Sequence, residues 1–198
     1  MKKLNYLFVL LCAAWIIQGC GSSNTSSTDK ADSANAAKVD SSKADSTAKT
    51  AVINVDNADA DFAVAAANGG MTEVAVAKLA QTKSTNAKVK EFADMMVMDH
   101  GKANDELMAL AKSKNITLPS TISNDKQKEM DDLNKKNGAD FDKAYVDAMV
   151  DGHKKTISMF EDESKNAKDP DLKAFVDKTL PTIKMHLQHI ESIKAGMK

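Results

Sequence analysis

The residues of this chain best suited to chemistry are its four histidines, His100, His153, His186 and His189. Neutral imidazole is a ligand for first-row transition metals and a proton carrier near neutral pH. His100 follows Met96 by four residues and precedes Ala103 by three, which places it on the apolar side of a helix. His153 follows Met149 by four residues, and His186 follows Ile183 by three and adjoins Leu187. Glu73 stands in the same relation to Gly69 and Val76. Imidazole with carboxylate suits Fe, Mn, Zn or Cu in a bundle core, so the candidate ligand set is His100, His153, His186 and Glu73, with Asp99 or Asp147 able to replace the glutamate. The Glu-x-x-His pattern of di-iron bundles occurs at none of the histidines, so a metal site here would hold a single ion rather than a pair. Met95, Met96 and Met98, just before His100, add a copper reading through soft thioethers, although methionine also fills cores that are poor in aromatics. His186 and His189 share a helix face, with His189 toward solvent. The simpler reading of all these groups is a buried hydrogen-bond network that fixes helix register without any metal.

Four stretches of helical period must position these groups. The first runs from about Ala58 to Lys83, with Phe62, Ala66, Gly69, Val76 and Ala80 near one face. Ser84-Thr85-Asn86 then offers N-cap oxygens to a second helix reaching about Lys114, striped by Val89, Phe92, Ala93, Met96, Ala103, Leu107 and Leu110. Asn115 to Gly138 is a connector containing Leu118-Pro119 and a short polar helix, long enough for a crossover. The third helix covers about Ala139 to Asn166. The fourth opens on Asp169 as N-cap with Pro170 at the first helical position and runs to the C-terminus, with a kink expected at Pro181. His100, His153 and His186 all lie about 14–16 residues from the starts of their helices, hence near one height. Glu73 lies about 6 Å off that level at a rise of ~1.5 Å per residue. The fold expected is an all-α, four-helix bundle with an extra short helix between its second and third helices.

Composition narrows the function. Aromatic residues make up 5% of the chain, and every one of its 27 basic residues is Lys, against 28 acidic ones. That balance argues against nucleic-acid binding, which draws on a basic excess and on arginine. No glycine-rich phosphate loop and no Gly-x-Ser-x-Gly elbow are present. Both cysteines, Cys12 and Cys20, fall in the first twenty residues, so no disulfide can staple the bundle.

The N-terminus reads as an address. Lys2 and Lys3 precede an apolar run from Leu4 to Ile17 that ends at Ile17-Gln18-Gly19-Cys20, the anatomy of a signal peptide over residues 1–19. A small residue directly before cysteine resembles the bacterial lipobox, which implies acylation of Cys20 and a lipid anchor in a membrane facing the periplasm or cell surface. From residue 20 to 57 the chain is rich in Ser, Thr, Ala, Asp and Lys and is expected to be a flexible tether. The folded domain is expected over residues 58–198.

From Asp61 to about Lys194 the chain resembles domain-of-unknown-function family 4142. The residues that carry the likeness are Ala66-Ala67-Asn68-Gly69-Gly70-Met71-Thr72-Glu73-Val74, Phe92-Ala93, Met96-Val97-Met98-Asp99-His100, Leu118-Pro119, Phe141-Asp142, Tyr145-Val146, Met149-Val150 with His153, and Leu180-Pro181 with His186-Leu187. The resemblance implies an exported, often lipid-anchored, ferritin-like bundle and brings no established activity; the missing paired carboxylate motifs speak against ferroxidase chemistry. The function expected is binding or stress protection in the cell envelope, centred on the histidines. The alternatives are a metal-dependent oxidoreductase and a metal-free structural or adaptor protein. Replacing Cys20 with Ala is expected to release the protein from the membrane fraction; continued membrane association of that variant would refute the lipid anchor.

Overall fold

The computed structural model describes residues 25–44 and 56–197; the expected signal segment and Cys20 lie outside them. Among the described residues the elements in order are α1 (Ser27–Ala44), α2 (Asn57–Lys83), α3 (Ala87–Ser113), α4 (Asn124–Asn134), α5 (Gly138–Asn166) and α6 (Pro170–Gly196). The four long helices α2, α3, α5 and α6 form the expected bundle, and α4 is the short helix of the connector. Their starts follow from side-chain caps that satisfy backbone donors of the first turn. Asp56 accepts from Ala58, Asn86 from Lys88 and Val89, and Asp169 from Asp171 and Leu172. Helix α3 ends with Asn115 in the left-handed region, φ 58°, and Ile116 donates back to the carbonyl of Ala111, a Schellman-type stop. Helix α6 runs unbroken through Pro181, which sits on its exposed side.

Two buried aspartates set the directions of the helices. Asp59, at the start of α2, accepts the backbone N–H groups of Lys168 and Asp169 in the α5–α6 turn at 2.6–3.1 Å. Asp142, at the start of α5, accepts from the backbone N–H and hydroxyl of Thr85 in the α2–α3 turn. The two hairpins, α2–α3 and α5–α6, therefore pack with their turns at opposite ends. Helix α2 lies against α5 and α3 against α6, while the connector carries the chain from the end of α3 back along the bundle to start α5. That is the single long crossover of the ferritin-like arrangement.

The core divides into two apolar clusters. One, toward the α2–α3 turn, holds Val76, Ala80, Phe92, Met96, Phe141, Tyr145 and Ile190. The other, toward the α5–α6 turn, holds Phe62, Ala63, Leu107, Phe160, Leu172, Phe175 and Ile183. Between them lie buried Glu73, His100, His153 and His186.

The segment expected to be a tether is in part a helix. Ser26 and Asp29 form a reciprocal capping box, each accepting the other's backbone N–H, and open α1 on an alanine-rich stretch. Helix α1 lies against α2, burying Ala31, and hydrogen bonds tie it to the connector. Asn35 donates to the carbonyl of Thr117 at 2.9 Å and accepts its N–H at 2.7 Å, and Lys38 donates to the carbonyl of Asn115. Composition alone does not report such a polar clamp. None of the helices among the described residues is long and apolar enough to cross a membrane.

Glu163, buried near the α5–α6 turn, has its carboxyl pushed up to about 7 by burial, with the charges of Asp59 and Asp56 adding. A raised carboxyl keeps its proton in the folded state where the unfolded chain has released it. Between about pH 4.5 and 7 the folded protein therefore binds more protons, and this group costs stability as pH rises through that window. Glu163→Gln is expected to raise the melting temperature at pH 8 and to leave it nearly unchanged at pH 4, as read by thermal melts at both values; an equal shift at both would contradict this.

Candidate metal centre

Glu73, Asp99, His100, His153 and His186 reach the polar layer from α2, α3, α5 and α6, each near the middle of its helix. Helical phase turns the three histidines inward, and mid-helix placement sets them at one level in a bundle whose ends are tied by Asp59 and Asp142. His153 is fully buried, His186 is 1% exposed and His100 is 7% exposed. One ring nitrogen from each of the three lies within 4.8 Å of the other two, and the ring centroids are 5.2–5.8 Å apart.

Hydrogen-bond partners decide which nitrogen of each ring carries a hydrogen. His153 Nδ1 stands 2.8 Å from the carbonyl oxygen of Met149, which can only accept, so Nδ1 is the donor and Nε2 bears a lone pair. His100 Nδ1 stands 2.9 Å from Glu73 Oε2, and His186 Nε2 stands 2.9 Å from Asp99 Oδ2. Both carboxylates accept, so the free lone pairs are on His100 Nε2 and His186 Nδ1. These two nitrogens face each other at 3.3 Å. In neutral rings nothing lies between them to donate. The Nε2 of His153 is likewise buried without a hydrogen-bond partner. Such an atom costs ~1–3 kcal/mol where nothing binds it. Three nitrogen lone pairs in one buried layer, each ring oriented from behind by an acceptor, are what a cation requires.

Protonating the cluster is the other way to satisfy it, and burial resists that. Burial lowers the pKa of His153 against the pull of Glu73, and lowers that of His186 against its hydrogen bond to Asp99. Burial alone would raise the carboxyl of Glu73, but His100, by charge and hydrogen bond, with His153 and His186 beyond it, holds it below the usual carboxylate range. Phe92 walls the site, its ring centroid 6.2 Å from that of His153 and 6.3 Å from that of His186. The Tyr145 hydroxyl, buried without a partner, is held as the neutral phenol by burial and by the Glu73 charge.

The three histidines expected from sequence come together. Glu73 joins them as a partner behind His100 and stands 3.8 Å from His153, its side chain bridging the axial offset that rise per residue implied. Asp99 serves too, behind His186. Asp147 does not: it pairs with Lys194 at the surface. His189 stays outside the triad, its ring 5.6 Å from that of Phe92. Met98 is 67% exposed, while Met95 and Met96 belong to the apolar cluster beside the α2–α3 turn. The Met149 carbonyl that orients His153 escaped the sequence reading; its only signal is the four-residue spacing on α5.

The family described as "Domain of unknown function (DUF4142)" matches residues 43–193, and the chain belongs to it. No curated protein matches. Among solved structures, the fold is similar to that of a DUF305 fragment from Deinococcus radiodurans, with a TM-score of 0.64 at 11% identity over 71% of this chain and 97% of that one. It is also similar to CopM in its Cu(I)-bound form, with a TM-score of 0.60 at 14% identity over 70% of this chain and 96% of that one. The Cu(II)-bound form of CopM gives 0.61 at 14% identity over 71% and 97%. At these identities the likeness is one of fold.

A site built for a cation and a purely structural network differ in what the metal-free protein gains from His153. Replacing it with Leu removes the orphaned nitrogen and fills similar volume against Phe92. Metal-free His153→Leu is expected to be more stable than the metal-free parent by ~1 kcal/mol, read by chemical denaturation with chelator present. A loss of stability of that size would favour the network.

Proposed function

We propose that this DUF4142 bundle binds one late transition-metal ion between His100 Nε2, His153 Nε2 and His186 Nδ1, with Glu73 and Asp99 as the outer carboxylates that orient two of the rings. The observation that carries the reading is the set of three unprotonated lone pairs in a buried layer, one without any partner and two opposed at 3.3 Å. Two nitrogens ~2.0–2.1 Å from one tetrahedral ion stand about 3.3 Å apart, the spacing His100 and His186 already have, while the third ring, with a nitrogen within 4.8 Å of both, closes in on the ion. A hydrogen bond from the far side of each ligand ring is the usual outer shell of a metal-binding histidine.

Copper is the ion we assign. The inner set is all imidazole, with the carboxylates behind it, which suits copper, zinc, nickel and iron better than manganese or magnesium. Among divalent ions at a nitrogen site copper binds most tightly. The copper-bound structures of CopM, on a similar fold, agree with the choice without deciding it. Burial of all three rings favours holding the ion away from bulk solvent, a protective or storage role, over turnover of a large substrate. The signal segment and the cysteine at position 20 support placing the bundle in the cell envelope on a lipid anchor.

Elemental analysis and titration of the purified protein test this. One equivalent of copper is expected, lost in His100→Ala, His153→Ala and His186→Ala with the helical fold retained. Glu73→Gln and Asp99→Asn are expected to keep the stoichiometry and weaken affinity ~10–100-fold. Absence of stoichiometric metal after reconstitution, or full binding by the histidine variants, would overturn the reading.

A further inference from the structure

A cleft of about 290 Å³ opens between α2, α4 and α5. Its mouth is lined by exposed Ala65, Glu129 and Lys155, and its floor by buried Glu73 and Met149. Both floor residues touch the triad: Glu73 accepts from His100 and stands 3.8 Å from His153, and the Met149 carbonyl accepts from His153. Beyond the floor a void of about 30 Å³ reaches His100 and shares Gly69, Glu73, Thr156 and Met159 with the cleft. A void of that size has room for about one water. Surface, cleft, void and triad therefore form one series.

Two features suggest what travels along it. Gly69 on α2 and Gly152 on α5 both line the cleft, and a Cβ built on either meets nothing within 4 Å. Glycine within a helix is less stable than alanine, so these two positions give up helix stability where a side chain would fit. What they leave is open passage. The residues lining the cleft also include Met130, Met149 and Met159, and thioethers are soft donors that favour Cu(I).

We propose that the α2–α4–α5 cleft is the loading channel of the metal site, kept open by Gly69 and Gly152, in which Met130 and Met159 receive Cu(I) and pass it to the Glu73 end of the triad. This rests on the triad being a metal site. No bond to carbon or oxygen changes and no electron moves; the ion exchanges thioether for imidazole donors and remains Cu(I). Each step trades weak, mobile donors for firmer ones, so the triad is the end of the path.

The test is the rate of loading into metal-free protein, by stopped flow, with Cu(I) in acetonitrile and separately with Zn(II). Gly152→Leu and Gly69→Leu place bulk in the cleft from opposite helices and should fold at least as well as the parent, which thermal melts verify. Both are expected to slow loading of either ion about tenfold or more, equivalent to ~1.4 kcal/mol on the barrier, while final stoichiometry stays unchanged. Gly101→Leu, at another open helical glycine outside the cleft, should load at the parental rate. Met130→Leu with Met159→Leu should slow Cu(I) and leave Zn(II) alone. Parental rates in both blocked variants would overturn the channel and direct attention to the Asp99 side, with the triad still standing. Lower final stoichiometry in place of slower loading would also overturn it. A parent protein that binds neither ion overturns channel and metal site together.

Discussion

One constraint shapes this bundle: three imidazole lone pairs are buried in a single layer where the protein offers no hydrogen-bond donor to them. A single buried acceptor without a donor is a local cost, but two facing each other add repulsion that neutral rings cannot relieve. The rings cannot turn away, because each spends its other nitrogen on a carbonyl or carboxylate behind it. The water-sized void beside His100 is lined by neither His153 nor His186, which leaves a proton or a metal ion to satisfy the layer as a whole. Burial weighs against the proton at His153 and His186. The carboxylates of Glu73 and Asp99 make the layer a place where positive charge is welcome.

The rest of the fold holds that layer in register. The apolar clusters above and below it supply the burial that stabilises the bundle, and they seal the layer from both ends. Asp59 and Asp142, each buried and each tying one hairpin turn to the opposite hairpin, fix how far the hairpins slide along one another. A slip of one turn, ~5.4 Å, would carry His100 away from His153 and His186. The crossover matters for the same reason. By delivering α5 to the α2–α3 end it makes α2 and α5 neighbours, which brings Glu73 beside His153 and leaves the cleft that α4 overlies.

Much of this was legible in the sequence. Apolar period and cap residues placed the four long helices, and the phase of His100, His153 and His186 against Met96, Met149 and Ile183 put all three on inner faces. Equal distance from the helix starts placed them at one height. Three things were not legible, each for a physical reason. The outer roles of Glu73 and Asp99 depend on side-chain reach and helix rotation, which rise per residue does not encode. The ordering of α1 rests on Asn35 and Lys38 binding backbone groups some eighty residues away, invisible to a composition argument, although the Ser26–Asp29 capping box was there to be seen. Gly69 and Gly152 have meaning only once α2 and α5 are known to face the same cleft.

Three ring hydrogens distinguish a metal site from a structural network, and long-range proton–nitrogen NMR spectra of the metal-free protein at pH 8 locate them. The prediction is neutral rings with hydrogen on Nδ1 of His100 and His153 and on Nε2 of His186. One equivalent of Cu(I) should then move the Nε2 signals of His100 and His153 and the Nδ1 signal of His186. Hydrogen on His153 Nε2, or a doubly protonated His100 or His186 at that pH with no response to the ion, would contradict the claim that this layer is built for a metal.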